Sequence, residues 1–355
     1  MAAYTELTKA DAQVLVDRLR GEGTDIGTQV ESVAPIPEGI TNSVYKLTTD
    51  KQTVVVTIFE PRRNSPSPER HQEIRNYQQH CQARGIPTPK LIGDIQSFNG
   101  KELQITEYVD ARPLQSINTN QAHQLGAAIA SMHVASKELP LFAPAPHLGS
   151  VGTALSEIDG MVERVLKQGD LIGEAQYLGS LANLSLRRLR STSHQKKTLP
   201  QHIVHGDFHK SNVLFDKQGK LGAIIDFEAS RNGVFIEDIA DAINAFAIVN
   251  DAPEGQKPHY HFDTEIAQSL LQAYHAIRPL TKPELEYLPR ELEDHAHFKG
   301  AGMLKTRQKG INADPYLFLT PERKAALNQA VHTSYVEMVM PQRAVPGAVS
   351  WGPLY

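Results

Sequence analysis

Apolar positions recur along the chain with two periods, and the dominant period changes once. Residues 8–20 place Ala12, Leu15, Val16 and Leu19 on one helical face, with Thr8 as cap and Asp11 in the reciprocal position. From about residue 30 to 108, strand signals prevail. SVYKLTT (43–49) and TVVVTIFE (53–60) are joined by the turn residues DKQ, and the second is rich in the β-branched residues that sheets favour. PSPERHQEIRNYQQHCQARGI (66–86) predicts a helix preceded by prolines and closed by Gly85. KLIGDIQSFNGKELQITEYV (90–109) predicts a hairpin turning at Asn99-Gly100. Strand, strand, helix, strand, strand describes a small α+β lobe over residues 1–108.

After residue 113 the period becomes helical. QAHQLGAAIASMHVAS, EAQYLGSLANLSLRRL, IEDIADAINAFAIV, TEIAQSLLQAYHAI and ERKAALNQAVHTSYVEMV all carry helical apolar spacing. One strand-rich insertion interrupts them: QHIVHGD, then NVLFDKQGKLGAIIDFE, a hairpin turning at Gln218-Gly219. The stretch 341–355 has no periodicity and reads as irregular. The expected organisation is two lobes, 1–108 and 114–340, joined by a hinge at 109–113.

Composition narrows the class. The chain of 355 residues is 40% apolar and 21% charged, ordinary for a protein with a sizeable core. A net charge of -4 gives no reason to expect nucleic acid or an anionic membrane as partner. The basic run Arg187, Arg188, Arg190, Lys196 and Lys197 reads as a solvated helix end. Cys81 is the only cysteine, which excludes an intramolecular disulfide and suits a reducing, cytoplasmic setting. MAAYTELTKADAQVLVDRL reads as neither a signal peptide nor a spanning segment, and no apolar run reaches membrane-spanning length. The sequence carries no signal for an oligomeric state.

The densest polar segment is HGDFHKSNVLFD, His205 to Asp216. Asp207 follows an apolar strand and precedes Asn212 in a short loop, and the hairpin then delivers Asp226 at the end of LGAIIDFE. Magnesium takes hard oxygen ligands and usually only one or two from protein. Asn212 and Asp226 would supply two such oxygens, leaving Asp207 to accept a proton from an attacking hydroxyl. Phosphoryl transfer needs that division of labour.

H-G-D-x-x-x-x-N followed by a hairpin and I-I-D-F resembles the aminoglycoside phosphotransferase/choline kinase family, relatives of the protein kinases, over nearly the whole chain. The resemblance implies a protein-kinase-like two-lobed α+β fold, ATP and Mg2+ as cofactors, and a small hydroxyl-bearing substrate. Carried onto matching positions, Asp207 would be the catalytic base, with Asn212 and Asp226 as metal ligands. His205 would be a structural member of the loop, and Asp238 in FIEDIADAINAF would brace it. His209 or Lys210 would reach the transferred phosphate. Glu107, Tyr108 and Val109 match the hinge whose backbone groups hold adenine.

Two departures stand out. Kinases usually place a Lys on the third strand to hold phosphates, paired with a Glu on the next helix. Thr57 occupies the Lys position here, and Glu73 the Glu position. Lys46, Arg62 and Lys90 lie in the same lobe as substitutes. The glycine-rich loop offers Gly39 alone, with Asn42 and Ser43 presenting backbone N–H groups and a hydroxyl to phosphate. These features resemble the type II homoserine kinases within the family, as do ARGIPTPKLI and DIADAINAFA with Asn244. IIDFEAS resembles choline kinase-like members instead, because Glu228 follows the metal motif, and HGD replaces the H-A-D often seen in homoserine kinases. Homoserine therefore leads among acceptors, ahead of choline or ethanolamine, aminoglycosides and methylthioribose; a catalytically weak kinase-like binding protein is the other reading.

A zwitterionic acceptor would need Arg231 for its carboxylate and Glu228 or Asp241 for its ammonium, while Lys305, Arg307 and Lys309 read as a solvated basic helix. His295 and His297 lie two apart on a predicted helix, about 200° around it, and would not share an ion. His259 and His261 fall where Pro258 and GQK predict a surface loop. No zinc site is expected.

Overall fold

The computed structural model describes residues 5–37, 42–61, 66–143, 196, 198–250, 260–292 and 295. Gly39, Arg62, His259, His297, Lys305, Arg307, Lys309, most of the basic run, two predicted helices and the stretch 341–355 lie outside the described residues.

Helix α1, Lys9–Gly21, has the expected reciprocal cap between Thr8 and Asp11. It packs Leu15, Val16 and Leu19 into one core with Val54, Val56 and Ile58 of the sheet. That sheet has five antiparallel strands: β1 Val30–Pro35, β2 Ser43–Thr49, β3 Thr53–Ile58, β4 Leu91–Phe98 and β5 Lys101–Glu107, in the order β1-β2-β3-β5-β4. The β4–β5 turn lies at Asn99 and Gly100, both at positive φ. Side chains of β2 and β3 alternate between the α1 core and the opposite face, so Lys46, Val55 and Thr57 share the opposite face.

Helix α2, Pro68–Ala83, starts after the Ser67 cap, with His71 stacked on Phe59 just past β3. Its inner side carries Tyr77, whose ring meets Phe142 and Phe227 edge-on. The helix thus joins the core of the second lobe, where Ile74, Tyr77 and Cys81 are buried.

In the second lobe the chain pairs with its own later strands by Arg112–Pro113 (β6), next to β8 Val213–Phe215 and β9 Leu221–Ile224. Helices α3, Thr119–Ser136, and α5, Thr264–Ile277, approach closely at Gly126, where a Cβ would stand 2.2 Å from the Leu270 carbonyl oxygen. Strand β7, His202–Val204, pairs with β10, Arg231–Gly233, and leads into helix α4, Ile236–Phe246.

One segment departs from expectation. The helix predicted over 236–249 stops at Phe246, and Ile248–Asn250 forms strand β11 against β12, Tyr260–Phe262, where a surface loop was expected. Ile248 and Val249 are β-branched, and pairing with β12 outweighs the continuing helical pattern. Among the described residues, no helix is long and apolar enough to cross a membrane.

Candidate active site

Strand β7 ends at Val204, and the chain turns through His205 and Gly206 into Asp207. Gly206 has φ +81, and a Cβ there would stand 1.9 Å from the Arg231 guanidinium and 2.7 Å from the Ala229 carbonyl oxygen. The turn is held from below by Asp238, in the first turn of α4, whose carboxylate accepts the N–H groups of His205 and Gly206, both at 2.8 Å. Asp238 also meets His133 of α3, and His133 meets Tyr274 of α5 at 2.7 Å. A carboxylate needs donors, so His133 presents Nε2–H to Asp238 and accepts the Tyr274 hydroxyl proton at Nδ1. Burial works to raise the Asp238 carboxyl, but the hydrogen bonds from His133 and Gly206 outweigh it and hold it below the usual range. Burial pushes His133 and His205 down, keeping both neutral.

Above this base, the loop gathers its functional groups. The Asn212 amide nitrogen donates to the Asp207 backbone oxygen at 3.0 Å and to its Oδ2 at 3.1 Å, which leaves the amide oxygen as the group's acceptor. His209 Nδ1 accepts the Ser211 N–H, so Nε2 carries the proton it directs at Asp207 Oδ2, 3.1 Å away. His209 therefore faces the expected base. Lys210 opens the 3₁₀ turn Lys210–Asn212.

The hairpin brings the second acid to the same place. Val213 pairs with Ile224, and Ile225 N–H donates to the Asn212 carbonyl at 2.9 Å. Asp226 follows in a left-handed conformation, φ 63 and ψ 68, unusual for a residue with a Cβ. Its side chain reaches solvent, yet a cleft wall solvates a charge less well than open water. That crowding, with the charges of Glu228 and Asp207, pushes its carboxyl up to about 6. The Asp226 carboxylate and the Asn212 amide oxygen, carried at neighbouring ends of the hairpin, are hard oxygen donors of the kind a divalent cation takes.

Other expected site residues are placed differently. The Ser43 hydroxyl is buried, donates to Glu60 at 2.5 Å and accepts the Thr5 N–H, so it is turned away from the cleft. Asn42 reaches across the cleft to Glu228. Arg231 is tied to Glu237 at 2.8 Å and to the Gly206 carbonyl oxygen at 3.3 Å, which makes it a prop of the loop instead of an open carboxylate clamp. Asp241 is 1% exposed, with His295 at 3.4 Å, and has no surface to offer a substrate.

Thr57 lies on the sheet face opposite the α1 core, without a charge of its own. Glu73, the expected helical partner of a Lys there, pairs instead with Arg70 at 3.2 Å and accepts the Ala143 N–H at 2.9 Å. Lys46 lies on that face, its ammonium 4.0 Å above the Tyr108 ring, and Lys90 is exposed just before β4. In the hinge, the N–H groups of Glu107 and Tyr108 go to the carbonyls of Lys90 and Thr53, at 2.8 and 3.3 Å.

Sequence reasoning passed over His133 and Tyr274. Their link to Asp238 spans three helices, so no local pattern in the sequence announces it.

The chain has known relatives. The profile of the family described as "Phosphotransferase enzyme family" matches residues 32–283. A homoserine kinase of Methylobacillus flagellatus is 28% identical over 271 residues, covering 74% of this chain and 76% of the relative. An aminoglycoside phosphotransferase from Alicyclobacillus acidocaldarius superposes with a TM-score of 0.60 at 14% identity, over 95% of this chain and 97% of that one. A choline kinase from Cryptosporidium parvum superposes at 0.56 with 13% identity, over 93% and 98%. The two structures share the protein-kinase-like fold with this chain.

Proposed function

The chain belongs to the phosphotransferase enzyme family and is a phosphotransferase acting on a hydroxyl group, and we propose that its donor is ATP and its acceptor homoserine or a similar amino alcohol. The observation that carries the site assignment is the convergence of Asp207, Asn212 and Asp226 at the two ends of one hairpin. The homoserine kinase relative supports the acceptor.

In this reading Asp207 receives the acceptor's hydroxyl proton as the acceptor oxygen attacks the γ-phosphorus, the bond from that phosphorus to the β–γ bridging oxygen breaks, and ADP leaves. His209 and Asn212, both on Oδ2, fix the carboxylate's orientation. The Asn212 amide oxygen and the Asp226 carboxylate would hold magnesium, which supplies charge neutralisation for the phosphates. Lys210, three residues past the base, would meet the transferred phosphate. The hinge N–H groups of Glu107 and Tyr108 are occupied, so the backbone of Val109 is proposed to hold adenine. Glu228 would receive the acceptor's ammonium.

The test is ADP release with Mg-ATP over a panel of homoserine, choline, ethanolamine, an aminoglycoside and methylthioribose. Homoserine should give the highest kcat/KM. A higher value for any other member would overturn the acceptor, and no stabilisation by millimolar Mg-ATP in a thermal shift would favour a binding protein in which Thr57 leaves the nucleotide unheld.

A further inference from the structure

Asn42 stands immediately before β2 in the first lobe and is 7% exposed. Its side chain is bound at both ends. The amide nitrogen donates to Glu228 of the second lobe, 186 residues away, and the amide oxygen accepts the Glu60 N–H at 3.2 Å. A carboxylate on one side and an N–H on the other allow only one orientation of this amide. Glu228 in turn sits two residues beyond Asp226.

The contact is braced from behind. Glu60 accepts the Ser43 hydroxyl and pairs with Lys101. Ser43 accepts the Thr5 N–H at 2.9 Å, and the Tyr45 hydroxyl donates to the Thr5 carbonyl at 2.7 Å. Thr5, Ser43, Tyr45 and Glu60 are each more than nine-tenths buried. Thr5 also precedes the region matched to the family, which begins at residue 32. An element outside that region thus supports a residue at the mouth of the cleft.

We propose that Asn42 is a positioning residue that sets the nucleotide lobe against the Asp226 hairpin through Glu228, with the segment at Thr5 bracing it. Resting on the ATP reading above, this deepens it: a cleft already held at its working separation loses less freedom when nucleotide binds. The side chain acts on geometry, with no part in the chemical step.

The test measures affinity for a magnesium complex of a non-hydrolysable ATP analogue by calorimetry, on the full chain without acceptor. Asn42→Asp keeps the acceptor for Glu60 N–H but sets a carboxylate against Glu228, and should weaken binding about tenfold or more. Adding Glu228→Gln reverses donor and acceptor and should recover most of the loss, which a merely misfolded variant would not do. Thr5→Pro removes the N–H behind Ser43 and should weaken binding in the same direction. Unchanged affinity in Asn42→Asp, or a double variant as weak as the single, overturns the proposal. If the unaltered chain fails to bind the analogue, the ATP reading itself falls, and this proposal with it.

Discussion

The His133 imidazole lies 2.9 Å from the Asp238 carboxylate, and neither residue is more than 1% exposed. Through that carboxylate the pair holds the two N–H groups that shape the turn before Asp207. Removing one donor from a buried acceptor costs about 1–3 kcal/mol, and more where the acceptor is charged. His133→Phe should therefore lower the melting temperature sharply and reduce kcat more than it raises KM. His133→Gln, which keeps a donor, should restore part of both. Thermal denaturation with steady-state kinetics checks this, and equal losses in the two variants would contradict it.

Acid should destabilise the fold through two buried histidines, while Asp226, whose carboxyl is raised to about 6, offsets part of that loss. His133 and His205 are wholly buried, and burial depresses both below the ordinary value of 6.5. The unfolded chain takes up these protons near 6.5, whereas the folded chain resists them to lower pH. Their contribution is therefore fully present above 6.5 and lost as pH falls toward the folded values. Asp238, held below its ordinary 3.8, adds a second loss at lower pH. With Asp226→Asn removing the opposing carboxyl, urea midpoints measured from pH 8 to 5 should fall below 6.5; a flat profile there would contradict the buried neutral histidines.

Gly206 is required by its backbone and its surroundings alike. At φ +81 a Cβ is strained by about 1–3 kcal/mol, before any contact. Gly206→Ala should lower both stability and turnover. Adding Arg231→Ala should recover little, because the conflict with the Ala229 carbonyl oxygen remains at 2.7 Å. Full recovery would show the guanidinium to be the whole obstacle.

Gly126 tests the scaffold far from the chemistry. Gly126→Ala drives a methyl into the Leu270 backbone, forcing α3 and α5 apart. Overpacking of this kind costs about 1–3 kcal/mol. Denaturant unfolding should show that loss while KM for the acceptor changes little; a shifted KM would mean the helix pair reports to the site.

Features carried by neighbouring residues were legible in the sequence. The Thr8–Asp11 cap, the Asn99-Gly100 turn and the hairpin linking Asn212 to Asp226 rest on short spacings. Contacts between distant segments were not. Asn42 and Glu228 are 186 residues apart, and His133 and Asp238 are 105, so no local pattern joins them. Arg231 is by sequence a candidate for the acceptor's carboxylate, and Glu237 becomes its partner only when β10 and α4 meet. Asp241 is by sequence a candidate for the acceptor's ammonium, yet its side chain is buried. Ser43 is by sequence a candidate phosphate contact from its place in the loop after Gly39, but Thr5 and Glu60, distant along the chain, enclose it.

The central claim is that Asp207 takes the acceptor's proton. Single-turnover phosphoryl transfer from Mg-ATP to homoserine, compared between the unaltered chain and Asp207→Asn, tests it most directly. Loss of a general base should slow the step about 10²–10⁴-fold, while nucleotide affinity stays close to that of the unaltered chain. A variant that transfers phosphate at most of the original rate would contradict the assignment.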